Sequence, residues 1–143
     1  MPRFTTRDLI SAALTLPLAI GVVVWLLQWA LGSLCGSILI AEFPAPKKPL
    51  KASLYVRDCG ATTDFSTQVS ILDTSERTPP VPGNALVLDT DHGKAPAGSR
   101  GGPEVRVTWA SDTVLLLAYH PRARVLHSAT QVRGISIKYA TFE

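Results

Sequence analysis

Between Asp8 and Glu42 the chain runs 33 residues, Leu9–Ala41, without one charged side chain. A bilayer core asks for about 20 apolar residues as helix at 1.5 Å per residue, and a secretory leader uses an apolar stretch of only about 7–15. The run is too long for either alone, so it must change character along its length. Trp25 and Trp29, one helical turn apart, mark an aromatic belt at the exit side of a span, and Gln28 lies close enough to an interface to reach water. Counting back from that belt predicts a transmembrane helix over Leu9–Leu31, with Pro17 tolerated as a kink. Arg3 and Arg7 beside the span, against Lys47, Lys48 and Lys51 well beyond it, orient residues 1–8 to the cytoplasm and the rest outside.

Residues 32–36 form the exit. Gly32 and Gly36 end the helix, and as a small-xxx-small pair they also offer a homodimer contact. Gly32-Ser33-Leu34-Cys35 resembles a lipobox with its leucine and small residue exchanged, so lipidation of Cys35 competes with a disulfide.

From Ser37 the pattern turns to strands. Ser37–Phe43 and Leu50–Arg57 flank Pro44-Ala45-Pro46-Lys47-Lys48-Pro49, which forbids helix and makes a turn. A hairpin centred there pairs residues whose numbers sum to about 93. Cys35 and Cys59 sum to 94, which places them across its open end within reach of a disulfide. A bridge needs an oxidising compartment and so agrees with an outward-facing domain; two free thiols are the alternative. Two cysteines without a nearby histidine pair do not make a zinc site.

Further strands follow over Phe65–Leu72, Ala85–Leu88, Val105–Trp109, Thr113–Tyr119, Arg124–His127 and Val132–Phe142. The continuous apolar run Thr113–Tyr119 is expected to be central and covered on both faces. About seven strands at turn-marked spacing predict an all-β outer domain over 37–143, an antiparallel sandwich or curled sheet, preceded by the single transmembrane helix. The stretch Arg57-Asp58-Cys59-Gly60-Ala61-Thr62-Thr63-Asp64-Phe65-Ser66-Thr67-Gln68-Val69-Ser70-Ile71 resembles the signature of a family of small uncharacterised bacterial envelope proteins. Those carry an earlier Cys-Gly pair, similar to Cys35-Gly36, and a later segment like Asp89–Pro96. The resemblance covers most of Cys35–Tyr139 and implies an envelope location without implying an activity. Its usual Ser-Pro-Asp-Gly-like turn is replaced here by Ala45-Pro46-Lys47-Lys48.

Asp89-Thr90-Asp91-His92 is the densest group of chemistry-bearing residues. Two carboxylates and an imidazole could hold a divalent metal or do acid–base work, although alternation along a strand puts only Asp89 and Asp91 on one face. The other reading is a capped turn with a solvated histidine. His120 and His127 stand alone. No nucleophile elbow, phosphate-cradling loop or dinucleotide fingerprint is present, and no cofactor is expected. From Pro44 onward, twelve Lys/Arg against nine Asp/Glu leave a mild, scattered excess, which does not predict nucleic-acid binding. The expectation is a membrane-anchored interaction module of the bacterial inner membrane. Its domain is periplasmic, and it contacts a protein or envelope component through edge strands and loops 78–83 and 92–103; a metal-binding protein or metal-dependent hydrolase using Asp89, Asp91 and His92 is the alternative.

Overall fold

The structure, a computed structural model, describes residues 17–27, 35–60, 63–77, 79 and 81–142. The chain divides into two compact units, Met1–Cys35 and Gly36–Glu143. In the first, residues 17–27 are helical and exposed. Among the described residues no helix is long and apolar enough to cross a membrane. The expected cytoplasmic residues 1–8, the remainder of the expected 9–31 span, and Gly32 lie outside the described residues.

The second unit is built of nine described strands. They are β1 (Gly36–Pro44), β2 (Leu50–Asp58), β3 (Ser66–Asp73), β4 (Leu86–Asp89), β5 (Val105–Ser111), β6 (Val114–Tyr119), β7 (Arg124–Ser128), β8 (Gln131–Val132) and β9 (Ile135–Thr141). One sheet has the order β1-β2-β3-β4-β7 and the other β5-β6-β9-β8. Side chains from both fuse into one apolar cluster. Ala52, Leu54, Val69, Ile71, Leu86 and Leu88 come from the first sheet, and Val105, Val107, Leu115, Leu117, Ile135 and Ile137 from the second. Alternate residues of β2 to β6 and of β9 supply the cluster, which is the period-2 signature of a sandwich. Polar bonds tie the layers: Trp109 donates from Nε1 to Phe43 O at 2.9 Å, and Thr67 Oγ1 donates to Pro103 O at 2.7 Å. The Tyr139 hydroxyl lies 2.9 Å from Ala85 O and 2.7 Å from Ala129 O.

The hairpin forms as the proline turn dictates. Partner numbers sum to 94 from Gly36↔Asp58 through Leu39↔Tyr55, then to 95 from Ala41↔Leu54 onward, because a bulge falls between Leu39 and Ala41. Cys35 and Cys59 continue the first register past the last pair, and they are disulfide-bonded.

Two expectations change. The described strands number nine, because the C-terminal stretch breaks at Arg133-Gly134, both at positive φ, into β8 and β9. The sandwich is also not wholly antiparallel: β6 pairs with β9 in parallel. The chain reaches that arrangement by leaving β6 for the other sheet, laying down β7, and returning. Strand β6 is central in its sheet as expected, but only Leu115 and Leu117 are buried; Val114, Leu116 and Ala118 are half-buried. The strands covered on both faces are β2, β3 and the short β4, despite their polar residues.

Candidate functional site

Directly opposite residues in an antiparallel sheet share a face. Register therefore strings Ser37, Arg57, Ser66, Asp89 and Arg124 into one row across all five strands of the first sheet, on the face away from the core. The next row toward the sheet's middle holds Tyr55, Gln68 and Val87. Arg57, Ser66, Asp89 and Arg124 of the first row and Gln68 and Val87 of the second line an open groove of about 420 Å³, together with Val81, Pro82, Asp64 and His92.

The buried polar side chains of this face are fully engaged. Gln68 donates from Nε2 to Ser66 Oγ at 2.9 Å and accepts the Gly83 N–H at 2.8 Å. Ser70 Oγ accepts the Asn84 N–H at 3.2 Å and lies 3.1 Å from the Tyr55 hydroxyl. Asn84 closes a two-way pairing with the backbone of Ile71. The segment Val81–Asn84 thus lies over β3, and glycine at 83 is what permits it: a Cβ there would meet Val69 O at 2.9 Å and Leu86 O at 3.0 Å, both backbone atoms. Burial raises the Tyr55 phenol above its ordinary value.

The groove's charged end is a strained turn. Asp91, His92 and Gly93 have φ of 50°, 56° and 85°, three successive residues in the left-handed region, where an L side chain costs about 1–2 kcal/mol. All five N–H groups from Asp91 to Ala95 find acceptors: Asp89 Oδ1 at 2.9 Å, Asp64 Oδ2 at 2.7 Å, Thr90 Oγ1 at 3.1 Å, Asp91 O at 3.3 Å and Thr90 O at 2.9 Å. Three of these acceptors are side chains, so the turn is held from outside as well as from within. Thr90 donates its hydroxyl hydrogen to Asp64 Oδ2 at 3.3 Å, joining the two supports.

Asp89 and Asp91 also have cations. Asp89, almost fully buried, receives Arg124 in a fork, Nε to Oδ1 at 3.1 Å and NH2 to Oδ2 at 2.5 Å. Asp91 pairs with Lys94 at 2.6 Å and has Arg124 NH1 at 3.8 Å. The His92 imidazole, largely exposed, has Nδ1 3.5 Å from Asp64 Oδ1. The His92 backbone N–H holds the Asp64 carboxyl below its ordinary pKa, the Lys94 bond does the same for Asp91, and the Asp89 bond raises Arg124.

The structure therefore brings Asp89, Asp91 and His92 to one turn but does not converge them as metal ligands. Among the described residues no group of three His, Cys, Asp or Glu side chains is placed to hold a metal. The physical reason is that Asp89 faces Arg124 in the sheet row, Asp91 faces Lys94, and His92 faces Asp64. Asp64 and Arg124 are the residues that sequence reasoning missed. Asp64 reaches the turn only through tertiary contact, accepting the His92 N–H, and Arg124 only through the pairing of β4 with β7. His120 and His127 stand apart from the turn: His120 Nδ1 accepts the Arg122 N–H, and His127 pairs across to Val87. Compared with protein-family models, curated proteins and solved structures, the chain matches none.

Chemically, the groove offers guanidinium groups at Arg57 and Arg124, an imidazole–carboxylate pair, and the apolar surfaces of Val81, Pro82 and Leu126. Arg57 donates to Ser37 Oγ at 3.1 Å and, among the described residues, has no carboxylate partner. That mixture suits recognition of a polar, partly anionic group beside an apolar one.

Proposed function

We propose that this chain is a single-pass envelope protein of the bacterial inner membrane, with its β-sandwich outside the membrane serving as a binding module. The observation that carries the reading is the Cys35–Cys59 disulfide, which closes the first hairpin from within the uncharged run, just past the expected span. Such a bridge persists in an oxidising compartment, so the sandwich belongs on the extracytoplasmic side while residues 9–31 anchor it. The resemblance of Arg57–Ile71 to small envelope proteins agrees with this location.

Binding is favoured over hydrolysis by how the site commits its polar atoms. Asp89, Asp64 and Thr90 use theirs to hold the left-handed turn, and Arg124 and Lys94 neutralise the carboxylates. A rigid, pre-formed groove loses little freedom on taking a ligand, which is what a recognition site requires. Backbone strain collects at functional sites, and this turn borders the groove.

Protease added to intact spheroplasts tests the topology: it is expected to digest the sandwich, and thiol reagents on unreduced membranes should leave both cysteines unmodified. Protection of the whole chain would overturn the reading. A crosslinked pull-down from membranes, compared with an Arg57→Ala, Arg124→Ala chain, tests the groove, since a partner held there is lost from the variant.

A further inference from the structure

The N-terminal half of β1 is the edge of the five-stranded sheet, and it is apolar and bare. Ile38, Leu39 and Ile40 are 50 %, 52 % and 45 % exposed. Ile38 pairs with Val56 on the core side and Leu39 with Tyr55 on the groove side, so apolar side chains project from both faces of the edge. On the core side, Ile40 opens onto a second groove of about 380 Å³ lined by Leu54, Val56 and Val105. A long apolar edge is a liability that folded proteins ordinarily blunt or cover.

Charge is arranged around this ridge. Arg57, across from Ser37, flanks it on one face, and Arg100, in the second groove, flanks it on the other; among the described residues neither has a carboxylate partner. The nearby carboxylates are committed: Glu42 to Lys51 at 2.8 Å, Glu104 to Arg106 at 3.2 Å, and Asp58 to the Gly60 N–H at 2.8 Å. An apolar ridge between two available guanidiniums is complementary to an anionic headgroup layer lying over acyl chains.

Chain length brings the ridge to that layer. From the expected helix end at Leu31 to Cys35 is four residues, at most about 14 Å of chain, and Ile38 follows three residues later. The headgroup zone itself is about 5–8 Å deep on each side. A partner strand added to β1 would satisfy its backbone but leave apolar side chains open on both faces; a lipid interface wets both.

We infer that the Gly36–Ile40 end of the sheet docks on the outer surface of the membrane, with Ile38, Leu39 and Ile40 in the headgroup–acyl boundary and Arg57 and Arg100 on anionic headgroups. This rests on the anchored reading above. It places the Arg57–Arg124 row at the lipid surface, so the groove takes its ligand there, at headgroup level.

The full chain in nanodiscs containing anionic lipid tests it, with nitroxide labels on single introduced cysteines at Leu39→Cys, Lys47→Cys and Val22→Cys, the native disulfide kept. Label 39 is expected to favour lipid-soluble oxygen over a water-soluble nickel complex, and label 47, at the far end of the hairpin, to show the reverse. Labels 39 and 47 both in water with label 22 in lipid overturn the docking and leave the anchor standing; label 22 in water overturns both. Dipolar broadening between two labels at 39 means that a second copy covers the edge and also overturns it. The Arg57→Gln, Arg100→Gln chain should lose the preference at label 39 for anionic over zwitterionic discs; an unchanged preference refutes the headgroup contact. Should the added cysteine disturb the disulfide, amide exchange of residues 36–40 in the unmodified chain decides the same question: slower exchange in anionic discs supports docking, and equal rates in both discs refute it.

Discussion

The two sheets of the sandwich solve the same problem differently. In the four-stranded sheet, β5 and β9 alternate buried and exposed residues, and the outer face meets water. In the five-stranded sheet, β2 and β3 are buried on both faces although Lys51, Ser53, Gln68 and Ser70 are polar. The first packs on apolar area, with Trp109 and Tyr139 reaching across to backbone carbonyls; the second adds a layer of buried side-chain hydrogen bonds on its outer face in which each group has one partner or very few. Apolar packing tolerates substitution of similar volume, whereas a buried polar layer fails when one member is removed. The groove and the strained turn stand on the exacting sheet.

That contrast can be broken by experiment. The largest effect is expected in the shared core, where Leu117→Ala should cost about 2–5 kcal/mol in denaturant unfolding; a smaller loss means the two sheets do not share one cluster. On the outer faces the two sheets should diverge. Ser70→Val strips partners from Asn84 N–H and the Tyr55 hydroxyl and should cost about 1–3 kcal/mol, whereas Leu116→Thr on the other sheet should stay within about 0.5 kcal/mol. The opposite ranking would erase the distinction.

Acid sharpens the comparison at the turn. The folded pKa of Asp64 is lowered, so its stabilisation is present above the ordinary carboxylate value and is lost as pH falls through the folded one. Asp64→Asn should therefore flatten the acid limb of a stability–pH profile, and an unchanged limb removes Asp64 as a support. Tyr139 tests the join between sheets. Burial pushes its phenol up to about 12, so its stabilisation is intact below the ordinary value of about 10 and is lost as pH rises through the folded one. Ultraviolet titration should show a late tyrosine ionisation that a Tyr139→Phe chain loses. The smallest effect belongs to metal removal, since each carboxylate of the turn already has a cation: chelation should leave the melting temperature unmoved, and a fall would restore Asp89, Asp91 and His92 as ligands.

What the sequence made legible follows from range. The hairpin and the Cys35–Cys59 bridge could be read because a proline turn fixes a local register, and the bulge between Leu39 and Ala41 moved that register by one. The alternation of Val105, Val107 and Trp109 likewise told which face is buried. The parallel pairing of β6 with β9 could not be read, because strand direction leaves no mark on periodicity. Neither could the cover over β3, since Val81–Asn84 has no period at all and acts through single contacts. In the site, Asp89, Asp91 and His92 announced themselves as neighbours. Asp64 and Arg124, which decide what those residues do, stand 25 or more positions from Asp89 and enter only through tertiary pairing.

The route of β7 has a consequence for how the protein is made. Strands β1 to β4 follow one another and can zip together as they emerge, but Arg124 arrives on β7, after β6 has begun the opposite sheet. The carboxylate of Asp89 thus waits for its counterion until both sheets are under way. A chain cut short before β7 would hold the hairpin and its bridge yet present an unneutralised acid where the finished molecule has a fork of hydrogen bonds. Completion of the groove is in that sense a proof of length: only a molecule translated past residue 124 can carry the Asp89–Arg124 fork that borders it.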